Sequence, residues 1–317
     1  MNDTFKQSIE QYFKEFFTVV VTKDGDWTVK GFIDVYKNIY TISLDTKVVS
    51  KIIELMIFPV IVKFAREHDY EMILASHQNH YPDITFVSKK TREKIALDLK
   101  STYKINSEKV NGMTLGAFTG YFRNRKSTKN ITFSYSEYSK HYVLGVIYTR
   151  TDLYNAEIKL KEKNISLTNT QRKLLTQYFS SPSDEAFKEF ISSLKIGNEK
   201  NLQNIKSLLD SCFINEKEKF SISDLPKILS VVRDFDFFVQ EKWKIAIDRP
   251  GSGNTKNIGS PISIDELKNG TALFTQYKNG KKIYDDFWMN YLTKDMANAI
   301  DLDEPHYSNI KTYFKFK

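Results

Sequence analysis

The run Lys94-Ile95-Ala96-Leu97-Asp98-Leu99-Lys100-Ser101 constrains this chain more than any other segment. Its large apolar residues recur at every second position, the pattern of a strand with two unlike faces. Ile95, Leu97 and Leu99 share one face, and Ala96, Asp98 and Lys100 share the other. A carboxylate and an ammonium therefore point to the same side of an apolar strand. A second apolar run, Ile84 to Val87, precedes it, and the polar stretch Ser88 to Glu93 between the two reads as a hairpin loop. Asp83 follows the turn-forming Pro82 and enters that second run, so the hairpin carries it back beside Asp98.

Those residue types have a shared chemistry. Mg²⁺ prefers carboxylate oxygens and keeps several waters, so Asp83, Asp98 and a substrate phosphate suffice for a coordination sphere. Such an ion stabilises charge on a phosphorane-like transition state and lowers the pKa of a bound water. Lys100 can hold or deprotonate that water and offset charge on the attacked phosphate. Mn²⁺ is expected to substitute for Mg²⁺. Asp-x-Lys on a strand is equally an ordinary solvated face, so the spacing alone leaves both readings open.

Lys and Arg number 47 against 39 Asp and Glu, giving +8, and the excess is scattered rather than gathered in a tail. That suits a polyanionic partner, because lysines paired with phosphates release counterions. Lysine-rich proteins that bind no nucleic acid carry the same excess. A 41% hydrophobic, 14% aromatic composition over 317 residues supports a packed core and excludes wholesale disorder. The length fits one large domain or a domain with a substantial insertion. Cys212 is the only cysteine, which rules out an internal disulfide and a thiolate metal cage. A reducing cytoplasm is the expected compartment. Met1 to Lys6 lack the basic start and apolar stretch of a signal peptide. The longest apolar stretch, Leu55 to Val62, is too short for a bilayer, so no membrane partner is expected.

Phe5, Ile9, Phe13 and Phe16 predict an amphipathic helix over 3–17. Thr18 to Thr22, an Asp24-Gly25 turn and Trp27 to Val35 predict a β-hairpin. Residues 44–68 predict a helix capped by Ser43 and kinked or broken at Pro59. Val48, Ile52, Leu55 and Met56 form its apolar stripe, with Glu54 beside it, where a charge wants a partner or a metal. Tyr142 to Tyr148 reads as a buried strand and Asp236 to Ile247 as another. Between them, 151–219 reads as a helical insertion, with helices over 171–179, over 187–194 after a Ser183 cap, and over 202–209. The fold class is α/β around a mixed sheet, in the α+β sense. Arg249 to Ser260 lacks the Gly-Lys-Ser/Thr ending of a P-loop. It reads as a compact polar loop able to contact base edges, or as an ordinary surface loop.

Three segments together carry a resemblance: Gln78-Asn79-His80-Tyr81-Pro82-Asp83, Ile95 to Tyr103, and Gly251-Ser252-Gly253-Asn254-Thr255 with Asn257-Ile258-Gly259-Ser260. They closely resemble the EcoRV family of type II restriction endonucleases. Asp45 to Val48, Glu54-Leu55, Thr128 to Ile131, Tyr148 to Arg150 and Gln240 to Trp243 match in the same order. The resemblance covers roughly 40–150 and 220–317, is loose at the N-terminus, and leaves 151–219 mostly extra. It implies a PD-(D/E)xK nuclease core with a helical insertion, acting as a homodimer on a palindromic duplex DNA site. The family's target is GATATC, cut bluntly at a central TA step that kinks easily. Asp83 and Asp98 would bind Mg²⁺, Lys100 would be the catalytic lysine, and Glu54 an auxiliary acid with a further metal contact. Gln78 and Asn79 fall in a minor-groove loop. Gly251, Ser252, Gly253, Asn254, Thr255 and Lys256, continuing into Asn257, fall in the major-groove recognition loop.

The same resemblance divides the chain into a dimerisation element (1–40), a catalytic core (41–150), the insertion (151–219) and a DNA-recognition part (220–317). A cognate DNA methyltransferase is implied as a genetic partner. His77 stands where the family has a glutamine, and Lys256 where it has a threonine. Arg123, Arg125, Lys126 and Lys129 are either phosphate contacts or a solvated basic face. Trp27, Trp243 and Trp288 are expected in the core or at domain contacts, and His77 and His80 in structural or DNA-contact roles. A DNA-binding protein that does not cut and a structure-specific repair nuclease are the competing readings.

Overall fold

The computed structural model describes residues 4–77, 79–195, 199–213, 219–251, 256–303 and 306–317. Helix α1 (Thr4–Val20) is followed by short strands β1 (Gly31–Ile33) and β2 (Asn38–Thr41) and by helix α2 (Thr46–Glu67). Strands β3 (Tyr70–Leu74), β4 (Ile84–Ser88), β5 (Lys94–Tyr103), β6 (Thr114–Ala117) and β7 (Tyr138–Arg150) come next. Helices α3 (Thr151–Glu162), α4 (Asn169–Ser180), α5 (Asp184–Leu194) and α6 (Glu199–Asp210) form a block before β8 (Lys219–Ser221), β9 (Val232–Glu241) and β10 (Asn257–Gly259). Helices α7 (Ile264–Asn269), α8 (Gly280–Asn290), α9 (Lys294–Asn298) and α10 (Ile310–Phe316) complete the described elements.

Five strands make the central sheet, in the order β3-β4-β5-β7-β9. Its only parallel pair is β5 with β7, flanked on both sides by antiparallel pairs. A mixed sheet covered by helices on both faces is thus the observed class. The alternation of β5 distributes its side chains between two cores. Ile95 and Leu97 join Phe5, Ile9 and Phe13 of α1 and Ile57, Ile61 and Phe64 of α2. Ala96 faces the other core, with Val143, Ile147, Phe287 and Trp288. The helical block has a core of its own around Leu160, Leu175, Phe190 and Leu209.

Local expectations fail where tertiary packing overrides them. α1 runs on to Val20 because Phe17 stacks on Phe237, with ring centres 5.0 Å apart. The expected 18–35 hairpin therefore shrinks to a single Val21–Trp27 bridge, and β1 pairs with β2 instead. Asp45, not Ser43, caps α2: its Oδ1 accepts from Lys47 N at 2.7 Å, while Ser43 Oγ accepts from Asp45 N at 2.9 Å. Pro59 sits inside α2 without ending it. The carbonyl that loses its helical N–H partner belongs to Leu55, a residue 63% exposed. The buried stripe is accordingly Val49, Ile52, Ile53, Ile57, Ile61, Phe64 and Ala65, rotated away from the expected Val48 and Leu55. β9 ends at Glu241, and Lys242–Ile245 is a 3-10 turn rather than a strand. Among the described residues the 151–219 block holds four helices, α3 being the one not expected, and Ser183 caps α5 by accepting from Ala186 N at 3.1 Å. Trp27 and Trp288 are buried, and Trp243 packs at the edge of the core.

A buried ion pair joins that block to the sheet. Arg150, at the end of β7, meets Asp152 at 2.6 Å, with side chains 4% and 0% exposed. Arg150 also donates to Ser180 Oγ at 2.8 Å, and Asp152 Oδ1 accepts from Leu153 N at 2.7 Å. Truncating Asp152 leaves a guanidinium buried without its counter-charge. Asp152→Ala should lower unfolding stability by about 3–5 kcal/mol in urea titrations; a change below about 1 kcal/mol would show that Arg150 finds water.

Candidate active site

Ile84 lies opposite Leu97 in the β4–β5 ladder. One step further along, the antiparallel register sets Asp83 abreast of Asp98. The Leu99 N–H donates to Asp83 Oδ2 at 2.6 Å, fixing that carboxylate against β5. Lys100 Nζ stands 2.8 Å from Asp98 Oδ2. The segment leading into Asp83 is clamped from behind. Tyr81 N donates to Asn130 O at 3.1 Å, Thr132 N donates to Tyr81 O at 2.9 Å, and the Tyr81 hydroxyl meets His141 Nδ1 at 2.8 Å. The Tyr81–Pro82 peptide is cis, and the Tyr81 ring stacks on Tyr121 with centroids 5.3 Å apart.

Asp83, Asp98 and Lys100 open on a cleft of about 630 Å³ that Tyr81, Gly116, Lys129 and Asn130 also line. Asn79 and Asn257, two of the expected base-contact residues, line the same cleft. Burial and the charge of Asp98 push Asp83 up to about 7, against the pull of Lys100. Burial would raise Asp98 too, but Lys100 and Lys242 outweigh it and hold Asp98 below the usual carboxylate range. Lys100, despite burial, is held above its ordinary value by Asp98 and Asp83. The site is thus an ionised carboxylate, a proton-sharing neighbour and a committed ammonium. Asp98 Oδ2 is buried with no hydrogen bond beyond that ion pair. Two convergent carboxylates with such an under-satisfied oxygen fit a hard divalent ion.

Glu54 is not gathered with the pair. Its carboxylate is held by Lys51 at 2.7 Å and is 38% exposed, although its charge reaches Lys100. Among the described residues no three His, Cys, Asp or Glu side chains converge as a metal cluster. Gln78, Ser252, Gly253, Asn254 and Thr255 lie outside the described residues. Their flanks are at the cleft. Gly251 N donates to Asn257 O at 3.0 Å, Phe118 N donates to Lys256 O at 3.1 Å, and β10 pairs with β6. A Cβ on Gly251 would stand 2.6 Å from Thr114 Cγ2, so this strand approach requires glycine.

Two of the four basic residues read as phosphate contacts or a solvated face turn inward instead. Arg125 pairs with Asp285 at 2.9 Å and stacks on Phe122 and Tyr135. Arg123 donates to Tyr291 O and covers Phe118. Of the four, Lys129 alone lines the cleft. His80 meets Ser76 Oγ at 3.2 Å, and its ring lies 4.7 Å from that of His77. Lys242 was not expected here, because a lysine in an apolar alternation reads as solvent-facing.

Paired carboxylates beside an ammonium suit phosphodiester hydrolysis, and comparison with known proteins gives the same class of chemistry. A family model described as restriction endonuclease EcoRV matches residues 23–211 and 207–317. The Type II restriction enzyme EcoRV of Escherichia coli is 31% identical over 294 residues, spanning 90% of this chain and 89% of that protein. This chain is an enzyme, a type II site-specific deoxyribonuclease. It belongs to the EcoRV restriction endonuclease family. The matched spans run through 151–219 as well, so the likeness is wider than 40–150 and 220–317. Among the described residues no helix is long and apolar enough to cross a membrane.

The raised Asp83 has a measurable sign. Its folded value of about 7 lies above the ordinary 3.8, so the folded state binds the extra proton between those values. Its contribution is complete below pH 3.8 and is lost as pH rises through about 7. Metal-free protein should therefore lose stability across that window, and Asp83→Asn should flatten the loss in urea titrations at a series of pH values. An unchanged slope would place the proton elsewhere.

Proposed function

We propose that this enzyme uses Mg²⁺, with Mn²⁺ as a substitute, to cut both strands of a palindromic duplex site. GATATC or a close relative, cut bluntly at its centre, is the proposed target. The observation that carries this reading is the β4–β5 register, with Asp83 abreast of Asp98 in the cleft that Asn79 and Asn257 line. Asp83 and Asp98 would hold the ion, which when bound supplies Lewis acidity to the phosphate and an activated water. Lys100 Nζ, 2.8 Å from Asp98, orients the attacking water and offsets charge on the phosphate. Asp98, ionised by its lysine neighbours, stays an oxygen donor throughout. Asp83 sheds its proton as it takes up that role. Glu54 is the outlying acid, reaching the site only if Lys51 releases it.

Recognition falls to the loop of Gly251 to Asn257 in the major groove and to Gln78 and Asn79 in the minor groove. A palindrome calls for two copies of the chain related by a two-fold axis. Residues 1–40 are the proposed dimerisation element. Phe32, Ile33, Val35 and Tyr36 there are 52%, 60%, 89% and 83% exposed, an apolar edge suited to a second copy. Residues 41–150 serve as catalytic core, 151–219 as a helical insertion and 220–317 as the recognition part. The enzyme would work in the cytoplasm beside a methyltransferase that protects host sites.

Digestion of sequenced plasmid with Mg²⁺, followed by mapping of fragment ends, tests this reading. Blunt ends at the centre of GATATC are expected; sequence-independent nicks would overturn it. Asp98→Ala should abolish cleavage with folding intact, and wild-type turnover would sink the assignment. Lys100→Ala should slow the chemical step by on the order of 10²–10³-fold, with no rescue by added Mg²⁺. Asn254→Ala should cost about 1–3 kcal/mol of discrimination between cognate and near-cognate sites; equal losses on all sequences would limit Asn254 to the backbone.

A further inference from the structure

Behind the carboxylate pair lies a lysine that the proposed chemistry does not use. Lys242 opens the 3-10 turn after β9 and is 1% exposed. Its neighbouring acid is committed elsewhere: Glu241 meets Lys244 at 3.0 Å and accepts from Trp243 Nε1 at 3.1 Å. Among the described residues Lys242 Nζ has no hydrogen-bond partner, and it rests 4.0 Å from the centre of the Tyr81 ring. An ammonium removed from water without an ion pair or hydrogen bond is costly, and a cation–π contact recovers only part of the loss. A methionine of similar length would fill the same space without that cost.

The ammonium lies within electrostatic reach of both acids. Tyr81 and Gly116 both line the cleft that holds Asp83, Asp98 and Lys100. Gly116 adopts φ +85°, and a Cβ there would stand 3.4 Å from Lys242 Nζ and 3.5 Å from the Tyr121 hydroxyl, so the glycine backbone approaches the charge on that side. The charges of Asp98 and Asp83 favour the ammonium, while burial, Lys100 and Arg125 oppose it and bring it down to about 8. Arg125 is already paired with Asp285. With both acids ionised, Lys100 and Lys242 balance Asp83 and Asp98; while Asp83 keeps its proton, below about pH 7, the cluster is net positive.

We propose that Lys242 is a positioning residue, a built-in counter-cation behind Asp83 and Asp98 that weakens their hold on a divalent ion and lets the acidic cleft accept DNA phosphate before metal. The inference rests on reading Asp83 and Asp98 as the metal-binding pair. It follows from the sign of the charge: a fixed cation repels an incoming divalent ion and attracts a polyanion. Without it the cluster is one charge more negative while the lysine is protonated, and net negative once Asp83 ionises, which favours the ion and repels the phosphate.

The test is Mn²⁺ binding to the full chain without DNA, followed by electron paramagnetic resonance. The wild type is compared with Lys242→Met, Lys242→Arg and Asp98→Ala. Lys242→Met should bind Mn²⁺ about ten-fold more tightly and metal-free DNA about three- to ten-fold more weakly, as expected for removal of a buried unit charge. Lys242→Arg should behave as wild type. Lys242→Met should also melt at or above the wild-type temperature, because it removes an unpaired buried charge. Equal Mn²⁺ affinity in Lys242→Met and wild type would overturn the inference, as would a lowered melting temperature with Mn²⁺ and DNA affinities unchanged, the mark of a packing role alone. If the methionine variant does not fold, Lys242→Gln carries the same comparison. Wild-type Mn²⁺ binding no tighter than that of Asp98→Ala would instead overturn the metal-site reading, and this inference with it.

Discussion

The hydrogen bond from Leu99 N to Asp83 Oδ2, at 2.6 Å, ties together everything the site does. It joins the acid that enters β4 to the backbone of the strand that carries the other acid and the lysine. Without it, the backbone of Asp83 would still be held by its clamped segment, but no backbone N–H of β5 would fix its carboxylate. With it, two carboxylates that repel one another are held side by side, and their repulsion becomes part of the chemistry. Burial and Asp98 raise Asp83, whereas Lys100 and Lys242 keep Asp98 ionised. That asymmetry is what a pair of like groups acquires when its environments differ.

The sheet makes the asymmetry possible by being the same element on two sides. One face of β5 sends Ile95 and Leu97 into the core with α1 and α2, and the other sends Ala96 into the core with Trp288. β5 is bonded along its length to β7, opposite Val143 at Asp98 and Gly145 at Lys100. A one-residue slip would exchange the apolar and ionised faces, so the cores that stabilise the strand also fix the direction of Asp98 and Lys100. Tyr81, clamped at residues 130–132 and against His141, does the same for the segment that delivers Asp83.

Much of this was legible in the sequence because it depends on local periodicity. The alternation of Ile95, Leu97 and Leu99 and the position of Asp83 before Ile84 determined the facing pair before any coordinates. The order of the segments matched the family that the whole-chain comparison supports. What was not legible depends on tertiary contacts. Thr18 to Val20 have strand-forming side chains, yet Phe17 against Phe237 keeps them helical. Pro59 lies inside α2 without breaking it, and the residue four before it, Leu55, is on the exposed side of the helix. Arg123 and Arg125 read as phosphate contacts or a solvated basic face, but aromatic rings and Asp285 draw them inward. Lys242 is the strongest case: no pattern in one sequence marks a lysine as buried, and only the positions of Tyr81 and Gly116 reveal it.

The central claim is that the β4–β5 register creates a divalent-ion site from Asp83 and Asp98. Crystals of the protein with Mn²⁺, examined by anomalous diffraction at the manganese edge, measure this directly. A peak bridging the carboxylates of Asp83 and Asp98, with Lys100 Nζ beside it, is the predicted result. Manganese bound elsewhere, or the two carboxylates drawn apart with no peak between them, would contradict it.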